Sequence, residues 1–276
     1  MGYLYKFAVD LNFIRIPVLT DEAGSNVIVS LTSYGRRVEK SIVYYTLISL
    51  LRQTRQPKKI ILWLADDEWN DNSIPLKIRE LKSKGIEICY CKDIKSYKKL
   101  IPTLKQYPDS TIITVDDDMI YSKDTIETLL NMHIYYPNDI ICTVAKKPII
   151  KNGVPCKYSE WEDSSISPFE NNYTGTLLFP VGVGGVLYPP GCLHEDVTKE
   201  ELFMRFCPKA DDVWFWFCGL RKETTKRFAI KKGYNLTFDN LYQFFHKGSA
   251  LTHSNNDHNQ NDIQIDMLFE HYRYIL

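Results

Sequence analysis

Short apolar runs alternate with segments of helical period along the first half of the chain, and this alternation predicts its architecture. Residues 27–31 (VIVSL) read as a buried strand, followed by a polar turn over residues 32–37. Residues 38–52 place Val38, Ile42, Val43, Tyr45, Thr46, Ser49 and Leu50 near a helical period, and residues 53–57 break that helix. Residues 59–65 (KIILWLA) form a second strand that ends in Asp66, Asp67 and Glu68. A helix is expected over residues 74–84, stopped by Gly85. The third strand is 86–91 and the fourth 111–115, with a Lys- and Tyr-rich segment between them. Strand alternating with helix predicts a parallel sheet covered on both faces. Such sheets bind ligands beyond the carboxyl ends of their strands. Residues 25–145 therefore read as a nucleotide-binding type of α/β half.

The fourth strand carries the candidate chemistry. Residues 111–121 read TIITVDDDMIY, an apolar run that ends in Asp116, Asp117 and Asp118. Side chains alternate along an extended chain, which would set Asp116 and Asp118 on one side. Two carboxylates so placed make a hard oxygen site that suits Mg²⁺ or Mn²⁺ rather than Zn²⁺. The other reading is an acidic turn that caps the next helix, because Ser122, Lys123 and Asp124 look like a helix start.

Regularity fades beyond residue 145. Residues 140–145 (IICTVA) predict another strand, and 156–173 a polar, aromatic loop. Residues 177–190 (LLFPVGVGGVLYPP) set Gly182, Gly184 and Gly185 inside an apolar run, where glycine weakens a strand. Either the backbone approaches a ligand closely there, or the run contains a bulge or bend. Residues 209–220 (KADDVWFWFCGL) are apolar all round from Val213 to Cys218, which predicts a buried helix. Asp211 would be its N-cap and Asp212 would favour the positive end of the helix dipole; one of them could also stand beside a pocket as a general base. The chain shows no internal repeats and no interdomain linker.

Composition narrows the partners. Thirty-four basic residues balance 34 acidic ones, so no overall field favours nucleic acid or an anionic membrane. The 18 Tyr, 13 Phe and 5 Trp suit stacking on rings or sugars, and equally an ordinary core. Seven cysteines without paired or zinc-like spacing argue for reduced thiols in a cytoplasmic protein. The first 20 residues do not read as a signal peptide, and no apolar run approaches the roughly 20 residues that cross a bilayer.

In combination, SLTSYGRRV, VDDD after the fourth strand, GVGGVLYPP and ADDVWFW resemble nucleotide-sugar glycosyltransferases of the GT-A fold, in particular bacterial enzymes that build capsule and lipopolysaccharide. The resemblance rests on order and spacing over residues 26–265, each motif being weak alone. It implies an α/β, GT-A-like fold: a mostly parallel central sheet with helices on both faces and a Rossmann-like N-terminal half. It also implies one domain over residues 1–276, with donor binding at about 25–145 and acceptor binding and catalysis at about 146–276. The implied reaction moves a hexosyl group from a nucleoside-diphosphate sugar, UDP-linked, to a hydroxyl of a glycan or lipid-linked acceptor. A lipid-linked acceptor would bring the protein to the inner membrane face as a peripheral contact.

The resemblance also implies roles. Asp118 and Asp116 would ligate Mn²⁺ or Mg²⁺, with Asp116 or Asp117 near the ribose. Thr32, Ser33, Tyr34 and Arg37 would contact base and ribose, and Asp93 would read the base. Lys98 and Lys99 would reach the phosphates, or else form a solvated basic helix face. Gly184 and Gly185 would line the donor sugar and acceptor. Asp212 would lie near the acceptor hydroxyl, as general base if the anomeric centre inverts or as a positioning group if it is retained. Residues 245–262 (FHKGSALTHSNNDHNQND) hold His246, His253 and His258. His253, then His246, would supply a third metal ligand, or the segment is a solvated polar loop. Residues 261–264 (NDIQ) resemble an end motif of related sequences, without an assigned role. A metal-dependent phosphohydrolase or nucleotidyltransferase is the alternative, but related nucleotidyltransferases open with a Gly-rich basic loop that SLTSYGRR lacks. A non-catalytic sugar-binding protein would not need both acidic motifs.

Overall fold

The computed structural model describes residues 2–20, 26–164, 174–229 and 259–273. The first half runs α1 (Gly2–Asp10), β1 (Val27–Thr32), α2 (Gly35–Glu39), α3 (Ile42–Leu51), β2 (Lys59–Ala65), α4 (Leu76–Glu80), β3 (Ile86–Cys91), α5 (Ile101–Gln106), β4 (Thr111–Thr114) and α6 (Thr125–Tyr135). The second half carries β5 (Ile140–Cys142), β6 (Ala145–Lys147), β7 (Ile150–Lys151), β8 (Val154–Pro155), β9 (Glu162–Asp163), β10 (Thr174–Gly175), β11 (Phe179–Pro180) and β12 (Val186–Tyr188). It continues with α7 (Glu200–Phe206), α8 (Asp211–Arg221), β13 (Lys226–Phe228) and α9 (Gln260–Tyr272).

Eight of these strands form one sheet in the order β10-β13-β5-β12-β4-β1-β2-β3. β1 pairs in parallel with β2 and β4, and β2 with β3. β12 is antiparallel to both β4 and β5, so β5 and its parallel neighbour β13 share the direction of the first four strands. The expected class is therefore found: an α/β fold with a mostly parallel central sheet and a Rossmann-like N-terminal half. Alternation within the strands sorts the core. Val29, Leu31, Ile60, Leu62 and Ile113 pack with residues of α3, α4 and α6, whereas Ile112 and Ile140 pack with α8 and α9 on the other face.

Three elements differ from the sequence-based expectation. The helix expected over 38–52 is two helices, α2 and α3, separated at Ser41, whose φ of 54° is left-handed. The segment 74–84 shortens to α4 plus a 3₁₀ turn over Leu81–Lys84, with Gly85 at φ 95° as its stop. The run 140–145 is divided between β5 in the large sheet and β6, which pairs instead with β11 and β9. The antiparallel direction of β12 positions the site. Its start, rather than its end, lies at the carboxyl edge of the parallel strands, with Val186 opposite Thr114. The glycine run before β12 is thereby brought beside the acidic turn after β4.

Candidate active site

Strand β4 ends at Thr114, and Asp117 and Asp118 lie in a turn, so strand alternation does not set their directions. Long-range partners do. Ser33 Oγ, just beyond β1, donates to Asp117 Oδ2 at 2.5 Å, and Arg37 of α2 pairs with Asp117 Oδ1. Arg37 Nη2 reaches Asp118 Oδ2 at 3.0 Å. From α3, Thr46 Oγ1 donates to the Asp117 carbonyl at 2.8 Å, and Ser49 Oγ accepts from the Tyr121 amide at 3.1 Å. These two polar positions on an otherwise apolar helix satisfy the backbone of the acidic turn. The turn does not cap α6, whose N-cap is Asp124, so the capping reading of the triplet fails.

Asp116 points elsewhere. Its Oδ1 lies 3.3 Å from Lys99 Nζ, while its amide donates to the Tyr121 hydroxyl, which in turn donates to Val183 O at 3.1 Å. Lys99 is buried at the centre of the site and also lies 2.9 Å from Asp211 Oδ2 and 3.3 Å from Asp212 Oδ1. One ammonium thus gathers three carboxylates from two motifs far apart in the chain. Lys98 is buried too, with its head on Asp93, whose Oδ1 also accepts from the Lys95 amide at 2.9 Å. The solvated-face reading of both lysines is therefore overturned: the 3₁₀ turn Lys95–Lys99 sets the heads of Lys98 and Lys99 on carboxylates.

Asp211 does not cap α8; Ala210 occupies that position without a side-chain cap, and Asp211 stands in the first turn facing Lys99. Asp212 Oδ2 accepts from the Gly182 amide at 3.0 Å. A Cβ on Gly182 would come within 2.7 Å of Lys99 Nζ and 2.9 Å of Asp212 Oδ1, so the glycine leaves room for both heads. The glycine run is not a strand but a 3₁₀ turn, Gly182–Gly184, between β11 and β12. Gly184 and Gly185 serve the backbone: Gly184 O accepts from Thr143 Oγ1 at 2.6 Å, and Gly185 takes φ 91°. A Cβ at Gly184 would meet Thr143 Oγ1 and Val144 Cγ2, each at 2.6 Å. Gly184→Ala is expected to cost about 1–3 kcal/mol through overpacking, read as a lower midpoint in chemical denaturation with an unchanged slope.

The remaining sequence candidates fall around the same edge. Thr32 Oγ1 donates to Trp63 O at 2.9 Å and so ties β1 to β2. Tyr34 is exposed, its ring 5.4 Å from the Arg37 guanidinium. His253, with His246 and His258, lies outside the described residues.

The electrostatics follow from burial and crowding. Burial works to lower the Lys99 pKa, but Asp211, Asp212 and Asp116 outweigh it and hold the ammonium well above its usual value. Burial pushes Asp212 up to about 6; Lys99 opposes this, and Asp211 and Asp116 add to it. Burial likewise raises Asp118 to about 7, with Asp117 adding and Arg37 opposing. Among the described residues no group of three or more His, Cys, Asp or Glu is arranged to hold a metal ion. Asp116 and Asp118, expected from the sequence to share one side and a metal ion, are instead engaged by different cations, Asp116 by Lys99 and Asp118 by Arg37.

Two contacts at the site gave no signal in the sequence. Asp211 joins Lys99 only through the fold, and Tyr97 buries its hydroxyl against Cys207 O at 2.6 Å, bracing the turn before α8. Both contacts cross more than a hundred residues, beyond any local spacing rule.

No family model matches the chain, and no curated protein matches it. Similar solved structures include S. aureus TarS 1-349, at 16% identity and TM-score 0.46, and S. aureus TarS 1-349 in complex with UDP, at 14% and 0.47. Both matches cover 74% of this chain and 58% of the other, so the chain spans little more than half the length of those structures. A 4-diphosphocytidyl-2C-methyl-D-erythritol synthase is similar at 8% identity and TM-score 0.38, over 65% of this chain and 82% of that one.

Proposed function

We propose that the protein transfers a sugar from a nucleoside-diphosphate sugar, UDP-linked, to a hydroxyl of a glycan or lipid-linked acceptor, in the building of a bacterial surface polysaccharide. The observation that carries this reading is the convergence of two acidic motifs on Lys99. Asp116, at the carboxyl edge of the parallel strands, and Asp212, at the start of α8, share that ammonium. A donor diphosphate at the strand ends would meet Arg37 and Lys99. Its sugar would then lie toward Gly182 and Asp212.

In this reading Asp212 is the general base for an inverting transfer. The acceptor oxygen bonds to the anomeric carbon as the bond from that carbon to the diphosphate oxygen breaks, and the acceptor proton passes to the Asp212 carboxylate. The Gly182 amide and Lys99 orient that carboxylate. A pKa near 6 leaves it ionised at neutral pH yet more basic than an exposed aspartate. Arg37 and Lys99 offset part of the acidic charge at that edge, so a diphosphate leaving there meets a less negative site. Asp116 and Asp118 would hold Mn²⁺ or Mg²⁺, which when bound neutralises further charge on the leaving group.

No helix among the described residues is long and apolar enough to cross a membrane. We place the protein in the cytoplasm, where a lipid-linked acceptor would draw it to the inner membrane face.

A thermal-shift panel of UDP, GDP, CDP and dTDP, each with and without Mn²⁺, tests the donor site. UDP is expected to raise the melting temperature only with Mn²⁺, and Asp118→Ala to abolish the shift. Absence of a shift with every nucleotide, in folded protein at ligand levels far above micromolar, would overturn the reading. Nucleotide release that ignores the acceptor would point to hydrolysis instead.

A further inference from the structure

The NDIQ run at residues 261–264 plays no part in the site as described so far. We infer that Gln264 is a positioning residue that sets the Asp212 carboxylate by holding the backbone turn from which α8 starts. The inference rests on the transferase reading, in which Asp212 is the base. Gln264 is buried one turn into α9. Its Oε1 accepts from the Lys209 amide at 3.1 Å, and its Nε2 donates to Gln260 O at 2.8 Å. Lys209 stands two residues before Asp211 and three before Asp212.

No side chain caps α8, so its start is not fixed locally. It is held from outside at three successive residues. Tyr97 OH donates to Cys207 O at 2.6 Å, Lys95 Nζ donates to Pro208 O at 3.2 Å, and Gln264 accepts from Lys209 N. The first two contacts come from the 3₁₀ turn that carries Lys99, and the third comes from α9. Together they fix the carboxylates of α8 relative to the lysine they share. Loss of the Gln264 contact removes this hold on the Lys209 amide and lets the first turn of α8 shift against Gly182 and Lys99.

The anchoring of α9 does not depend on that contact. Asp262 Oδ1 accepts from the Tyr158 amide at 2.6 Å, and Ile265, Leu268 and Phe269 are buried in the core. Gln264→Met keeps length and packing but removes the acceptor; Gln264→Glu keeps an acceptor oxygen for Lys209.

The test measures kcat, donor KM and their pH profiles, the UDP-induced thermal shift, and the carboxyl titration of Asp212 by ¹³C NMR without substrate. Gln264→Met is expected to lower kcat about 10- to 100-fold, as small misplacements of a reacting group do. It should leave the UDP-induced shift unchanged and move both the acid limb of the kcat profile and the Asp212 titration. Gln264→Glu should restore kcat to within about threefold of wild type. Wild-type kcat with an unmoved Asp212 titration in Gln264→Met would overturn the inference. So would an equal loss in both variants with that titration unmoved, the mark of a merely structural role. If the wild type transfers no sugar, the transferase reading fails, while the Asp212 titration in Gln264→Met still decides whether Gln264 positions the carboxylate.

Discussion

Asp212→Asn is expected to lower kcat by about 10²- to 10⁴-fold and to leave nucleotide binding intact, because in the proposed transfer it removes the proton acceptor and little else. Asparagine keeps an oxygen for the Gly182 amide, and Lys99 retains Asp211 and Asp116. The pH dependence has a definite sign. A carboxylate accepts a proton only when ionised, so wild-type kcat should rise with pH through about 6 and the residual rate of the variant should not. Stability moves the opposite way. The folded-state pKa of Asp212 lies above the ordinary value, so between pH 4 and 6 the native state binds more protons than the unfolded one. Its contribution to stability therefore declines as pH rises through that window, and the decline should be shallower in Asp212→Asn. Transfer rates across pH, paired with urea midpoints at the same pH values, read both effects. A variant within threefold of wild type would move the base elsewhere.

Lys99→Met is expected to have the largest effect on stability. The side chain is buried and is the shared cation of Asp116, Asp211 and Asp212. Removing one partner from a buried ionic cluster costs about 3–5 kcal/mol, because the remaining charges stay desolvated without compensation. For a chain of this size that corresponds to a loss of roughly 10 °C in melting temperature. The loss should shrink as pH falls, since protonation relieves the crowded carboxylates. In the proposed transfer the rate should also fall below detection at neutral pH, because Asp116 and Asp212 lose the cation that orients them. Differential scanning calorimetry from pH 5 to 8 checks the first claim. A melting temperature within 2 °C of wild type at neutral pH would show that the cluster is solvated rather than desolvated.

Much of the fold was legible because its signals are local. The strands Lys59–Ala65 and Ile86–Cys91 have the expected bounds, each an apolar run bounded by polar residues. The break at Ser41 was not legible, because neither glycine nor proline marks it and the apolar period continues across it. The run 177–190 looked like one strand because its composition is apolar throughout. Its glycines instead form a 3₁₀ turn, braced from Thr143 and Asp212 in other elements. Lys98 and Lys99 have the charge of a solvated face, and only carboxylates distant in sequence account for their burial.

By itself the sequence determined the α/β class, the parallel sheet implied by alternating strands and helices, and where along the chain its acidic clusters fall. These follow from periodicity and side-chain chemistry, which act over a few residues. Only the tertiary structure decided which carboxylate meets which cation, that Gly182 rather than Gly184 or Gly185 faces Asp212, and that α9 holds the turn before α8. Those choices depend on the antiparallel insertion of β12 and on contacts spanning tens to more than a hundred residues, where burial, not local preference, selects the partner.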